Sequence, residues 1–224
     1  MKKYLLYAGG LLVSLPLILT AVNIAQNGSS TPDGRTPAEI LGVAVDAADE
    51  GHVAALSKSD VMQLFYALDA PAFADLDGEY RAVLVDVGVL SAGSAWFTHN
   101  VFGEGRWLGK GLSPIKDSGA TAQRGAGYNL FADPNDSDTI QRMRRFDVSL
   151  GPSEITNGDS LHLNYSHHNG GLVHSMRDEI RKINDRLYLG MGHMALGGGA
   201  INPAPFLLIG PAERPVREIH ENLD

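Results

Sequence analysis

The sequence predicts a mainly β chain that closes into an antiparallel barrel of eight to ten strands, preceded by short helices and an apolar anchor helix. Three observations carry that expectation. Eight segments beyond residue 76 alternate apolar and polar side chains with the two-residue period of a strand. The turn signals KDSG, DPND, TNGD, NGG, ND and GGG separate most of them. Glycine supplies 26 of 224 residues, about 12% against the usual ~7%, with no collagen-like period.

The first 25 residues read as a membrane anchor or signal segment. Lys2 and Lys3 precede an apolar run from Tyr4 to Val22, and nineteen helical residues at ~1.5 Å rise nearly match a ~30 Å hydrocarbon core. The nearest cleavage pattern, ending at Ala25, carries the unfavourable Asn23 two residues earlier, which favours retention. The two lysines hold the N-terminus in the cytoplasm, so a single pass through the inner membrane places the C-terminal body in the periplasm. Residues 26–37 are a polar tether rich in Gly, Pro and Ser.

Residues 38–75 are expected to be helical and to pack on the barrel or plug its open end. Thr36, Pro37 and Glu39 form a helix start with a capping box. A second helix begins after Ser57 or Ser59, with Val61, Leu64, Phe65 and Leu68 on one stripe.

Residues 76–212 hold the strand segments EYRAVLVDVG, RWLGKGLSPI, TAQRGAGYNLF, TIQRMRRFDVSL, SLHLNYS, MRDEIRKI, RLYLGMGHMAL and APFLLIG. SAGSAWFTHNVF, between the first two, reads as a short helix or an ordered loop. A meander of this size tends to close, which removes exposed strand edges, and an eight-strand barrel fills with side chains or holds one small ligand. Residues 213–224 form a tail.

Composition excludes several classes. The absence of cysteine removes disulfides, thiol nucleophiles and Cys-zinc sites. Net charge is -8, and residues after 30 carry 16 basic against 26 acidic groups, which argues against nucleic-acid binding. No G-x-S-x-G, Walker or Rossmann pattern is present.

Residues 105–111, GRWLGKG, place Gly105, Trp107, Gly109 and Gly111 on one strand face if the alternation is regular. This pattern resembles the first-strand signature of nitrobindin-like haem barrels and, more loosely, the G-x-W of lipocalins. The match spans about seven residues and departs from both families, because two helices and a strand precede it here. Residues 176–190, MRDEIRKINDRLYLG, are similar to the closing hairpin of small lipocalin-like barrels. These resemblances imply a lipocalin-like, calycin-type barrel that binds an apolar molecule. They imply no reaction. No cofactor is expected, with haem the alternative that the nitrobindin resemblance implies.

The candidate lining is Trp107, Tyr128, Tyr165 and Tyr188, with Arg142 and Arg144 as contacts for a ligand head group and His167 at the mouth. If Arg142 and Arg144 face inward, a ligand carboxylate or phosphate, or else Asp178, Glu179 or Glu79, must neutralise them; an outward strand leaves them in water. His167 and His168 are strand neighbours and point to opposite faces, so they cannot share a metal from a regular strand. A tight turn at Gly170-Gly171 would oppose His167 and His174. No metal site is expected, and SHHNGGLVHS should lie as a loop or hairpin at the barrel mouth.

The leading expectation is a membrane-anchored periplasmic barrel binding a hydrophobic small molecule such as a lipid, pigment or isoprenoid. A barrel enzyme of isomerase or cyclase type, using His167, Asp178 and Glu179, is the alternative. A third is an accessory subunit with a membrane-protein partner.

Overall fold

The computed structural model describes residues 17–86, 88–114, 124–136 and 139–212. Eight antiparallel strands run in chain order: β1 (Gly78–Leu84), β2 (Trp107–Pro114), β3 (Arg124–Ala132), β4 (Ile140–Pro152), β5 (Asp159–Asn164), β6 (Arg177–Asn184), β7 (Leu187–His193) and β8 (Ala204–Ile209). Each pairs with its neighbour, and β8 returns to β1 with Arg81 opposite Ile209 and Leu84 opposite Phe206, which closes the barrel.

The excess glycine has a packing use in this wall. Gly111, Gly127 and Gly190 stand directly opposite Tyr128, Phe146 and Phe206 on the next strand. A Cβ added at these positions would lie 2.2–2.5 Å from the facing ring. The ring lies across the glycine, so three aromatic side chains occupy space a Cβ would need.

Two bulges set which residues enter the barrel. Between Trp107 and Gly109 the β2–β3 register shifts. Trp107, Lys110 and Leu112 therefore face inward, while Gly109 and Gly111 face out. This corrects the expectation that Trp107 shares a face with both glycines: one extra residue reverses the alternation. The second bulge falls in β4, where Asn129 opposes Met143 but Gly127 opposes Phe146. Arg144 occupies it with φ 56°, an uncommon conformation for a side chain other than Gly, Asn or Asp.

The interior is filled at one end. Tyr80 and Tyr188 meet edge to face at 5.7 Å, and Leu76, Leu112 and Leu208 pack with them in the same core. The Tyr80 hydroxyl donates to the Asp75 carbonyl at 3.1 Å, tying the preceding 3-10 turn (Phe73–Asp75) across this end.

Helix α1 is described over residues 17–25. The stretch that opens as a helix after Thr36 consists of α2 (Pro37–Leu41), a 3-10 turn and α3 (Glu50–Ala54). Thr36 and Glu39 form the expected capping box, but Gly42 ends the helix in the left-handed region at φ 69°. Helix α4 (Lys58–Ala67) starts at its cap Ser57. Helices α2–α4 cover the outer faces of β6, β7 and β8, with Val53, Leu64 and Phe65 packed in one core with Ile183, Leu189, Met191 and Leu207. Arg181 reaches out from β6 and donates to the carbonyls of Phe65 (3.0 Å) and Leu68 (2.9 Å), satisfying the end of α4.

Among the described residues no helix is long and apolar enough to cross a membrane. Residues 4–16, most of the expected anchor, lie outside the described residues, as does the tail after residue 212.

Candidate functional site

The other end of the barrel holds a cavity of about 280 Å³. Helix α5 (Ser91–Asn100) lies over the opening and contributes Ser94, Phe97 and Thr98. The β7–β8 connection contributes Met194, Gly197, Asn202 and Pro203, the strands contribute Leu84, Trp107 and Phe206, and Met176 comes from the residue just before β6. Walls of this kind are apolar with few polar groups.

Asn23 and His193 add further polar lining, and the charged groups are an ion pair at the floor. Lys110 and Asp178 both line the cavity and are otherwise buried. Lys110 Nζ lies 2.8 Å from Asp178 Oδ2 and donates to Asn129 Oδ1 at 2.8 Å and to the Tyr165 hydroxyl at 2.7 Å. Tyr165 donates its own proton to Asp178 Oδ2 at 2.8 Å. Asn129 Nδ2 donates to Tyr165 and to the Arg144 carbonyl, both at 3.1 Å. Trp107 Nε1 donates to Asn129 Oδ1 at 3.0 Å. The ammonium also sits 5.1–6.0 Å from the ring centroids of Trp107, Phe206, Phe146, Tyr165 and Phe102. An aromatic cage of this kind attracts a cation.

Burial lowers the Lys110 pKa, and the Asp178 carboxylate opposes that shift. Burial, then the charge of Asp178, pushes the Tyr165 phenol well above its ordinary value. Tyr165 therefore stays a neutral donor and acceptor, and the charged members of the cluster are Lys110 and Asp178. This arrangement can bind a polar group at the end of an apolar molecule or move a proton to it.

Of the residues expected to line the site, Trp107 lines the cavity and Tyr165 joins the network beneath it. Tyr188 is interior but belongs to the filled end. Tyr128 and Arg142 are on the outer face, in contrast to the expected lining: the Glu79 carboxylate accepts from Tyr128 at 2.8 Å and pairs with Arg142 at 2.9 Å. Burial, and next the Glu79 contact, pushes the Tyr128 phenol up to about 12. The β4 bulge separates Arg142 from the inward Phe146, which is why the regular alternation misplaces it. Arg144 donates from Nε to the Phe102 carbonyl, bracing the chain that follows α5.

His167 is exposed and pairs with Asp147, which also holds His168 at 2.8 Å. The β5–β6 connection does lie at the mouth end, next to Met176, but it carries a 3-10 turn (Gly171–Ser175) instead of a two-residue hairpin. His174 bonds the Ser166 carbonyl, so the cross-strand pair of His167 and His174 does not form. Among the described residues no group of three or more His, Asp or Glu side chains could hold a metal. Glu179 faces outward and accepts the Glu154 amide at 2.7 Å and the Ser153 hydroxyl. It anchors the β4–β5 turn.

Lys110 and Asn129 are fixed positions of no motif in the sequence. A partial signal for Lys110 exists in Leu112, its i+2 neighbour on the inner face; Leu108, at i−2, lies across the bulge and packs outside with Tyr128 and Leu130. Asp178 is flanked by the apolar Met176 and Ile180.

No family model and no curated protein matches the chain. A solved structure described as a protein from Thermomonospora curvata aligns over 77% of this chain and 93% of its own, at 15% identity and a TM-score of 0.43.

Proposed function

We propose that this protein is a membrane-anchored barrel of the cell envelope that binds one small apolar molecule at its mouth, with Lys110 and Asp178 reading a polar group on it. The observation that carries the reading is the cavity of about 280 Å³ whose apolar walls end on a buried ion pair. That volume is just below the usual range of ~300–1,000 Å³ and calls for a small or slender ligand. Burial of apolar area at ~25 cal/mol per Å² supplies affinity, and the polar floor supplies orientation.

The membrane part of the reading rests on the route of the chain. Asn23 of α1 donates to Asn202 Oδ1 at 2.8 Å, and Asn27 donates to the Ile201 carbonyl at 3.0 Å. The described end of α1 thus joins the fold beside the mouth. Around that opening Trp96, Leu196 and Ile201 are 62%, 74% and 67% exposed. An apolar rim at the point where an anchor arrives suits a mouth turned toward the inner-membrane surface, on the periplasmic side. A ligand drawn from the bilayer then reaches the cavity without crossing water.

The binding reading is tested by displacement of anilinonaphthalene sulfonate with decan-1-ol, using the full chain in detergent. Saturable displacement is expected in the native protein and its loss in Ala204→Trp, which fills the cavity. Equal displacement in both proteins contradicts the site. Recovery of the protein in the soluble fraction of cells contradicts the anchor.

An enzyme is the second reading, favoured by one observation: the ionisable pair is at the cavity floor instead of in the filled half of the barrel.

A further inference from the structure

We infer that the cavity takes an apolar aldehyde or ketone, and that Lys110 condenses with its carbonyl to form a reversible imine. The inference rests on the binding reading above and names the chemical class of its ligand.

A buried pair that served stability alone has no need of a cavity, since replacing such pairs with apolar side chains is often neutral or stabilising. Here the amine, its carboxylate and two rings of its cage, Trp107 and Phe206, all line the same space. Leu84, Phe97 and Met176 form the wall against which an alkyl or polyene tail lies, and the carbonyl carbon then faces Nζ.

The proton movements need no outside reagent. Asp178 Oδ2, 2.8 Å away, accepts a proton from the ammonium. The freed nitrogen lone pair adds to the carbonyl carbon, and the carbonyl π electrons move to oxygen, which takes that proton back from Asp178. Asp178 next removes a second proton from nitrogen and delivers it to the hydroxyl, which leaves as water while the nitrogen lone pair closes the carbon–nitrogen double bond. The sum is ammonium plus carbonyl giving iminium plus water, with no change in oxidation state and none in net charge.

That last point is why this cluster suits the reaction. The product keeps a cation at Nζ, still paired with Asp178 and still within the five rings. Tyr165 and Asn129 hold the amine in place without competing for its proton, because burial and Asp178 keep the Tyr165 phenol protonated. Lowering of the Lys110 pKa by burial works in the same direction, since only the neutral amine attacks.

The experiment treats the full chain in detergent with decanal and sodium cyanoborohydride, which reduces an imine to a stable secondary amine, and maps the adduct by peptide mass. One decyl group per chain on Lys110 is expected. Asp178→Asn, checked for folding by circular dichroism, is expected to slow labelling roughly a hundredfold, the usual scale of a lost acid–base group. Labelling confined to other lysines such as Lys58 and Lys182 overturns the inference, and the native protein alone decides this if the variant does not fold. Decan-1-ol, which has no carbonyl, separates the two readings. If it displaces the dye while decanal leaves Lys110 unlabelled, binding stands and imine formation falls. If neither displaces the dye and Lys110 stays unlabelled, both fall.

Discussion

The ammonium of Lys110 lies 5.1 Å from the ring of Trp107, three residues back on the same strand, because the bulge between them turns both side chains inward. Regular alternation would send one of them out. The bulge therefore supplies both the cation of the site and part of its cage.

Trp107→Ala is expected to destabilise the barrel by roughly 3–5 kcal/mol, the usual range for removal of a buried aromatic ring. The ring is buried, stacks edge to face on Phe206 at 5.6 Å and donates to Asn129. Urea unfolding of the native and variant proteins checks this. A shift below about 1 kcal/mol would place that ring outside the core.

Lys110 and Asp178 should behave as a coupled unit. Asp178→Asn leaves a buried ammonium without its counter-charge, at a cost of about 3–5 kcal/mol. Lys110→Met leaves the converse. The double variant removes both charges and is expected to lose markedly less than the sum of the two single losses. Additive losses in a double-mutant cycle would show that the two do not interact in solution.

Stability should fall between pH 7.5 and 5.5. His99 Nδ1 accepts the Trp107 amide at 3.1 Å, which needs a neutral ring, and burial, then Arg106, lowers its pKa. His193 Nε2 is buried with no hydrogen bond, and burial lowers its pKa against the pull of Glu154, 3.9 Å away. In the unfolded chain both titrate near ~6.5. Below that value the unfolded chain binds more protons than the native one, so acidification favours unfolding. The urea midpoint should drop across this window, and by less in His99→Gln/His193→Gln. A midpoint that rises toward pH 5.5 would contradict the sign.

Gly190→Ala should cost about 1–3 kcal/mol through overpacking, because the new methyl group would lie 2.2 Å from Phe206 Cζ. The pair variant Gly190→Ala/Phe206→Leu should regain part of that loss if the ring is the obstacle. Thermal melting of both proteins reads the difference.

Replacing His167, His168 and His174 together with Gln is expected to change stability little, within about 1 kcal/mol, since exposed changes cost ~0.5 kcal/mol and exposed ion pairs contribute ~0–1 kcal/mol. His167 and His174 are exposed, and the Asp147 pairs lie at the surface. Loss of cooperative unfolding in this variant would assign the loop a structural role.

Much of the fold was legible from period and punctuation. Each of the eight expected strand segments overlaps one observed strand, with ends that differ by one or two residues in five of them, because apolar alternation and turn residues act locally. The site was legible only in part. Trp107, Tyr165 and Asp178 could be singled out as residue types, but which wall each faces depends on the two bulges at Trp107/Gly109 and Gly127/Asn129. A bulge leaves no trace in a two-residue period, so the wall that each residue faces could not be read from the alternation alone. The three histidines are the opposite case: they cluster in sequence, yet Asp147 and the Ser166 carbonyl hold them at the surface. The helix start at Thr36 was legible from its capping box, and the stop at Gly42 comes from the left-handed conformation there.

The pairing of β1 with β8 has a consequence for the order of events during synthesis. Phe206, one of the rings around the Lys110 ammonium, arrives on the last strand, almost a hundred residues after the lysine itself. Until that strand docks, one side of the ammonium has no wall and water can reach it. Dehydration of the cation and sealing of the cylinder therefore both require that strand, whose pairing with β1 joins the two ends of the fold. A nascent chain that stops short of β8 holds a half-built cage around a hydrated charge. Such a chain stays open to chaperones and proteases until its final strand is released.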